Sequence, residues 1–167
     1  MSAPMNQPYS HLLDLRHLRD ALGEFATGVT VVTARGADGQ PVGVTINSFA
    51  SVSLEPPLVL WSLGLHSPSL AVFESCRHYV VNVLAADQVE ISQRFSQSLS
   101  DRFADIDLQV GAGGAPILSG CCAWYECRNE MRYPGGDHMI LVGHVERFHR
   151  DEKPPLIFHG GRYRALP

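Results

Sequence analysis

Between Gly43 and Leu63 the chain reads GVTINSFASVSLEPPLVLWSL, a strand-like run that opens into hydroxyl and amide side chains and then returns to apolar sequence. Thr45, Asn47, Ser48, Ser51 and Ser53 are small hydrogen-bonding groups set between two hydrophobic runs. Buried without partners, each would cost roughly 1–3 kcal/mol. Either a polar, phosphate-bearing ligand supplies those partners, or the segment is a Ser-rich turn in water.

Other chemistries are poorly supported. There is no Cys-x-x-Cys pair, and the eight His residues never fall at His-x-x-x-His spacing near a carboxylate, so no metal site is expected. Adjacent Cys121 and Cys122 would point to opposite faces of a strand, which favours reduced thiols at all four cysteines. Asp105 and Asp107 resemble half of an acid–base pair, but in a polar loop they read as solvated. Trp61 and Trp124 sit in strand runs and read as core. His144 reads as a satisfied barrel or interface histidine, and Tyr163 as packing beside a site or a subunit seam.

These groups need a scaffold, and the spacing predicts one. Leu15, Leu18, Leu22 and Phe25 make a helical stripe over about 14–25 that should lie on a sheet. TGVTVVTARGADGQPVGVTI reads as a β-hairpin turning at residues 36–41, and Pro56 and Pro57 open a central strand over 58–63. Ser67 and Pro68 look like the cap and first position of a helix whose N-terminus could hold an anion. A strand follows over 78–84, then a helix with a capping-box-like start at Asp87, and a short helix from Ser100. A loop over 111–116, long strands over about 123–132 and 139–148, and a hairpin around Gly160-Gly161 complete the chain. Six or seven strands joined mostly by hairpins, with two or three helices, point to an antiparallel barrel with helical additions rather than βαβ alternation.

With 167 residues, 45% hydrophobic and 18% charged, one domain over 14–167 is expected, preceded by a flexible segment over 1–13. A net charge of -4 without basic runs argues against nucleic acid or a membrane surface as partner. No apolar stretch approaches the roughly 20 residues of a membrane span, and the N-terminal run lacks an apolar signal core, so a cytoplasmic location is expected.

Five segments together resemble one family, the flavin reductase-like domain, found in the small reductase components of two-component flavin monooxygenases. They are FATGVTVVT (25–33), GVTINSFASVSLEPPLV (43–59), VVNVLAADQ (80–88), GGDHMILVGHVE (135–146) and PLIFHGGRY (155–163). The resemblance implies a mainly β, FMN-binding type split β-barrel homodimer that reduces FMN or FAD with NADH or NADPH and serves a separate oxygenase. It also implies flavin contact at Thr45, Ile46, Asn47, Ser48, Ser51, Val52, Ser53, Ser62, Leu63, Ser67 and Ser69, with Phe95 and Arg102 added. His138, in the Gly-Asp-His turn, is implied as the residue that positions the nicotinamide; otherwise it is a turn residue capped by Asp137. Hydroxyls and Arg102 would hold the flavin phosphate, and backbone amides near Thr45–Ser48 the pyrimidine edge. That reading requires Asn47, Ser53 and Ser67 to share a cleft. The competing readings are a flavin- or haem-binding barrel that keeps its cofactor, and a dimeric scaffold without ligand.

Overall fold

The computed structural model describes residues 14–98 and 101–166. The expected lead-in over 1–13 and the start of the helix expected at Ser100 lie outside the described residues. Residues 101–107, which are described, form turns rather than a helix.

The hairpin chemistry folds as its sequence dictates. Strand β2 (Thr30–Arg35) turns through Gly36–Gln40 into β3 (Pro41–Ile46), with Thr30 opposite Ile46 and Thr33 opposite Gly43. Strands β4 (Ala50–Leu54), β5 (Pro57–Gly64), β6 (His78–Val83), β9 (Ala123–Gly135) and β10 (His138–Arg150) join them in an antiparallel sheet ordered β3-β2-β6-β9-β10-β5-β4. The sheet does not close: β3 and β4 are its edges, and β3 approaches β5 without a ladder between them. This gap is the split of the expected barrel. Two small sheets complete the fold: β1 (Thr27–Gly28) with β11 (Ile157–His159) and β12 (Arg162–Arg164), and β7 (Leu108–Val110) with β8 (Pro116–Leu118).

Alternation along the strands splits the apolar residues between two faces. Inside the curl, Val32, Trp61, Tyr79, Val81, Cys127 and Leu141 pack with Phe73 of helix α2 (Leu70–Ser75). Trp61 meets Phe73 edge-on at 4.9 Å, and burial of each such side chain contributes about 1.5–3 kcal/mol. On the outer face, Val29, Val31, Leu84, Phe95 and Leu118 form a second cluster under helix α3 (Val89–Ser96). Trp61 is core as expected; Trp124 instead lies half-buried in a satellite cluster with Val80, Ala115 and Ile117, stacked on His149.

Several expectations fail for identifiable reasons. Helix α1 (Leu15–Gly23) forms, capped by Asp14, whose side chain accepts a hydrogen bond from the Arg16 amide at 2.8 Å. Its stripe does not lie on the sheet: Leu22 is 66% and Phe25 79% exposed. The chain runs from α1 straight into β1, which pairs with β11, and the Gly160 amide donates to the Gly23 carbonyl, so the helix is tied to the C-terminal hairpin. Helix α2 starts at Leu70, because Ser67 and Pro68 are spent in a preceding turn in which Ser67 Oγ accepts from the Ser69 amide. One short helix of that kind offers no anion site. Gln88, not Asp87, caps α3, and its amide group instead bonds Ala85 and Ser119. His144 is not satisfied: its Nδ1 is buried with no partner among the described residues, between two β-bulges of β10. The four thiols are free, and burial pushes Cys121 and Cys127 up to about 12, which removes them as nucleophiles at neutral pH.

Candidate functional site in the barrel seam

The polar segment meets the rest of its site at the gap in the sheet. Arg102 donates from Nη1 to the Gly43 carbonyl at 2.8 Å, and Thr30 Oγ1 donates to the Ile46 carbonyl on the opposite side. Successive residues of an antiparallel strand turn their main-chain groups to alternate sides, so Gly43 and Thr45 face the free edge of β3. Beyond the strand, the N–H groups of Asn47, Ser48 and Phe49 find no acceptor among the described residues. The seam thus presents a row of unpartnered main-chain donors.

Across the seam stand β5 and the β9–β10 turn. Ser48 Oγ donates to the Ser62 carbonyl at 3.2 Å and accepts from the Ser62 amide at 2.9 Å, fastening the loop to β5. His138 opens β10 opposite Gly64 and Gly135, after a turn in which Gly136 takes φ 68°. A Cβ on Gly64 would stand 3.8 Å from His138 Nε2, so the imidazole lies over the bare Gly64 main chain. Asp137 Oδ1 lies 2.7 Å from His138 Nδ1, and that hydrogen bond holds the Asp137 carboxyl below the usual carboxylate range.

Between these walls is a cleft of about 620 Å³, lined by Val44, Thr45, Ile46, Asn47, Ser48, Ser62, Leu63, Gly64, Ser67, Gly135, His138 and Ile140. A neighbouring cleft of about 580 Å³ includes Ser69, Ser98, Asp101, Arg102 and Phe103 beside Pro41–Gly43. A side pocket of about 200 Å³ shares Thr45, Ile46 and Asn47 with the main cleft, and a fourth space of about 810 Å³ lies between α1 and the loop at Asn47 and Ser48.

Eight of the residues singled out by sequence therefore line one cleft (Thr45, Ile46, Asn47, Ser48, Ser62, Leu63, Ser67 and His138), and Ser69 and Arg102 line the next. Ser51, Val52 and Ser53 are placed differently. They lie on edge strand β4, with a bulge at Val52, and line neither cleft, so the shared cleft required of Asn47, Ser53 and Ser67 is met by Asn47 and Ser67 but not by Ser53. Phe95 is 1% exposed, its ring pressed beneath Gly43 and against Phe103, where it supports β3 rather than facing either opening. Two hydroxyls expected to face a ligand are engaged within the fold: Thr45 donates to the Ser92 carbonyl at 2.7 Å, and Ser48 to Ser62. Sequence reasoning missed Val44, Gly64, Gly135 and Ile140, which offer only backbone or apolar surface.

The arrangement suits a flat heterocycle with a polar edge. Unpartnered N–H groups at 47–49 can meet ring carbonyls and nitrogens, Ile140 supplies apolar surface, and the His138 imidazole borders the same cleft. Among the described residues there is no cluster of three or more His, Cys, Asp or Glu able to hold a metal.

The sequence pattern of the family described as "Flavin reductase like domain" matches residues 22–167. The chain belongs to this flavin reductase-like family. It is 45% identical over 148 residues to FMN reductase (NADH) SmoA of Agrobacterium fabrum, an alignment covering 89% of this chain and 84% of that protein. It is 41% identical over 149 residues to the flavin-dependent trigonelline monooxygenase, reductase component, of Acinetobacter baylyi, covering 89% of this chain but 48% of that one. The chain thus spans most of one relative and about half of another. Among solved structures, the Streptomyces globisporus NADH:FAD oxidoreductase SgcE6, in complex with NAD and FAD fragments, superposes with a TM-score of 0.88 at 38% identity, covering 92% of this chain and 93% of that one. The seam cleft of this family member therefore lies in a fold shared with a protein solved in complex with NAD and FAD fragments.

Proposed function

We propose that this chain is an NAD(P)H-dependent flavin reductase, which reduces FMN or FAD in the seam cleft and hands the reduced flavin to a separate oxygenase. The carrying observation is the cleft itself: unpartnered donors at Asn47–Phe49 on one wall and the Asp137-held imidazole of His138 on the other. Hydride chemistry belongs to the two ligands; the protein's task is to hold them in register and exclude competing reactions. In this reading the N–H groups at 47–49 and the Thr45 edge orient the flavin. Arg102, with only one nitrogen bonded to Gly43, sets a cation beside Ser69 for a phosphate. The Asp137 carboxylate can only accept, so neutral His138 carries its proton on Nδ1, leaving Nε2 to accept from a carboxamide.

The protein works as a homodimer in this proposal, with the apolar stripe of α1 as the surface that needs cover. Delivery to an oxygenase is supported by relatives named as reductase components of flavin-dependent monooxygenases. No helix among the described residues is long and apolar enough to cross a membrane.

Purified protein is expected to accelerate NADH or NADPH oxidation when FMN or FAD is added. No rate above the free-flavin background with either nucleotide defeats the activity, and failure to bind flavin in a titration defeats the site as well. Tight co-purification of a flavin with no exchange would favour a protein that keeps its cofactor.

A further inference from the structure

Tyr163, on β12, reaches across the fold to place its hydroxyl 2.8 Å from Ser92 Oγ, a contact spanning 71 residues of sequence. Ser92 is 0% exposed, and its main-chain carbonyl accepts the 2.7 Å hydrogen bond from Thr45 Oγ1. Thr45 in turn carries the free-edge groups of β3. We propose that Tyr163 is a positioning residue for the flavin site, acting through Ser92 on that edge; the inference rests on the function proposed above.

Helix α3 touches β3 at two points. One is polar, at Thr45 and Ser92; the other is apolar, where the Phe95 ring fills the space beneath Gly43. Tyr163 adds a further hold on the helix, with its ring edge-on to Phe158 at 5.6 Å and its hydroxyl on Ser92. The two hydroxyls share one hydrogen bond and have no other partner among the described residues. Both residues border the side pocket beside Thr45, Ile46 and Asn47, but Ser92 is fully buried whereas Tyr163 is only half-buried. The arrangement that leaves no buried proton stranded has Ser92 donating and the phenolic hydrogen facing that pocket. Loss of the phenol oxygen would strand the Ser92 hydroxyl beneath the residues that orient the ligand.

The test uses the full chain with Tyr163→Phe, Ser92→Ala and the double variant, reading steady-state kinetics with FMN and FAD, flavin affinity by fluorescence titration, and thermal midpoint. Each single variant is expected to raise flavin KM and Kd about 3- to 10-fold with kcat within about twofold, and the double variant to be no worse than the poorer single, as residues acting in series behave. Unchanged KM and Kd in Tyr163→Phe overturn the proposal, as do effects that multiply in the double variant or a lowered midpoint with intact affinity. If the native chain binds flavin but does not reduce it, the activity proposed above fails while the affinity series still decides the role of Tyr163.

Discussion

Asp137 Oδ1 and His138 Nδ1 lie 2.7 Å apart, so the carboxylate turns the imidazole and leaves its Nε2 over the main chain of Gly64. Both residues are well exposed, so the pair adds little to stability and its main effect is to aim the ring.

His138→Ala is therefore expected to lower kcat/KM for the nicotinamide nucleotide by about 10-fold or more, corresponding to about 1.4 kcal/mol of transition-state stabilisation. Flavin affinity should stay within error. Steady-state kinetics beside a flavin titration separates the two, and unchanged turnover would remove His138 from the site.

The hydrogen bond from His138, and then its charge, hold the Asp137 carboxyl below its ordinary value. A carboxyl with a depressed native pKa adds stability that is present above the unfolded value of about 3.9 and lost as pH falls through the native one. Melting curves of native protein and Asp137→Asn should thus differ slightly near neutral pH and converge as pH falls below the ordinary carboxylate range. A gap that persists in acid would assign the effect to something other than this titration.

Gly43→Ala should be costly. A Cβ there would lie 2.6 Å from Phe95 Cε1 and 3.2 Å from Phe103 Cζ, and overpacking of this kind typically costs about 1–3 kcal/mol. Calorimetry should show a midpoint lowered by several degrees, and flavin KM should rise because the Gly43 carbonyl and its Arg102 contact move with the strand. A native midpoint would mean that Phe95 and Phe103 yield without strain.

The stripe of α1 gives the fourth prediction. Leu22→Asp with Phe25→Asp should convert a dimer to a monomer in sedimentation velocity while leaving the circular dichroism spectrum intact, since neither side chain is buried in the protomer. Dimers that survive the double substitution would place the subunit contact elsewhere.

The hairpin of β2 and β3 was legible because Gly36, Asp38 and Gly39 break two Val-rich runs, and the turn before His138 because Gly-Gly-Asp punctuates two long strands. Strand β4 was not, because Ala50–Leu54 is a mostly exposed edge whose polar residues look like a loop. The α1 stripe has the right period but no sheet beneath it; periodicity reports which face is apolar, not what covers it. Within the site, residues with hydrogen-bonding side chains could be read from their types, whereas Gly64 and Ile140 contribute space and surface that no motif records. The tie from Tyr163 to Ser92 is long-range and has no sequence signature.

Ser48 gives a hydrogen bond to Ser62 and takes one back, doing with a single hydroxyl what a strand residue does with its whole peptide group. The loop at the mouth of the barrel is thereby pinned to β5 through one rotatable side chain. Releasing that latch would break two hydrogen bonds and no rung of any ladder, so the ligand exchange proposed for the seam would need no rearrangement of its walls.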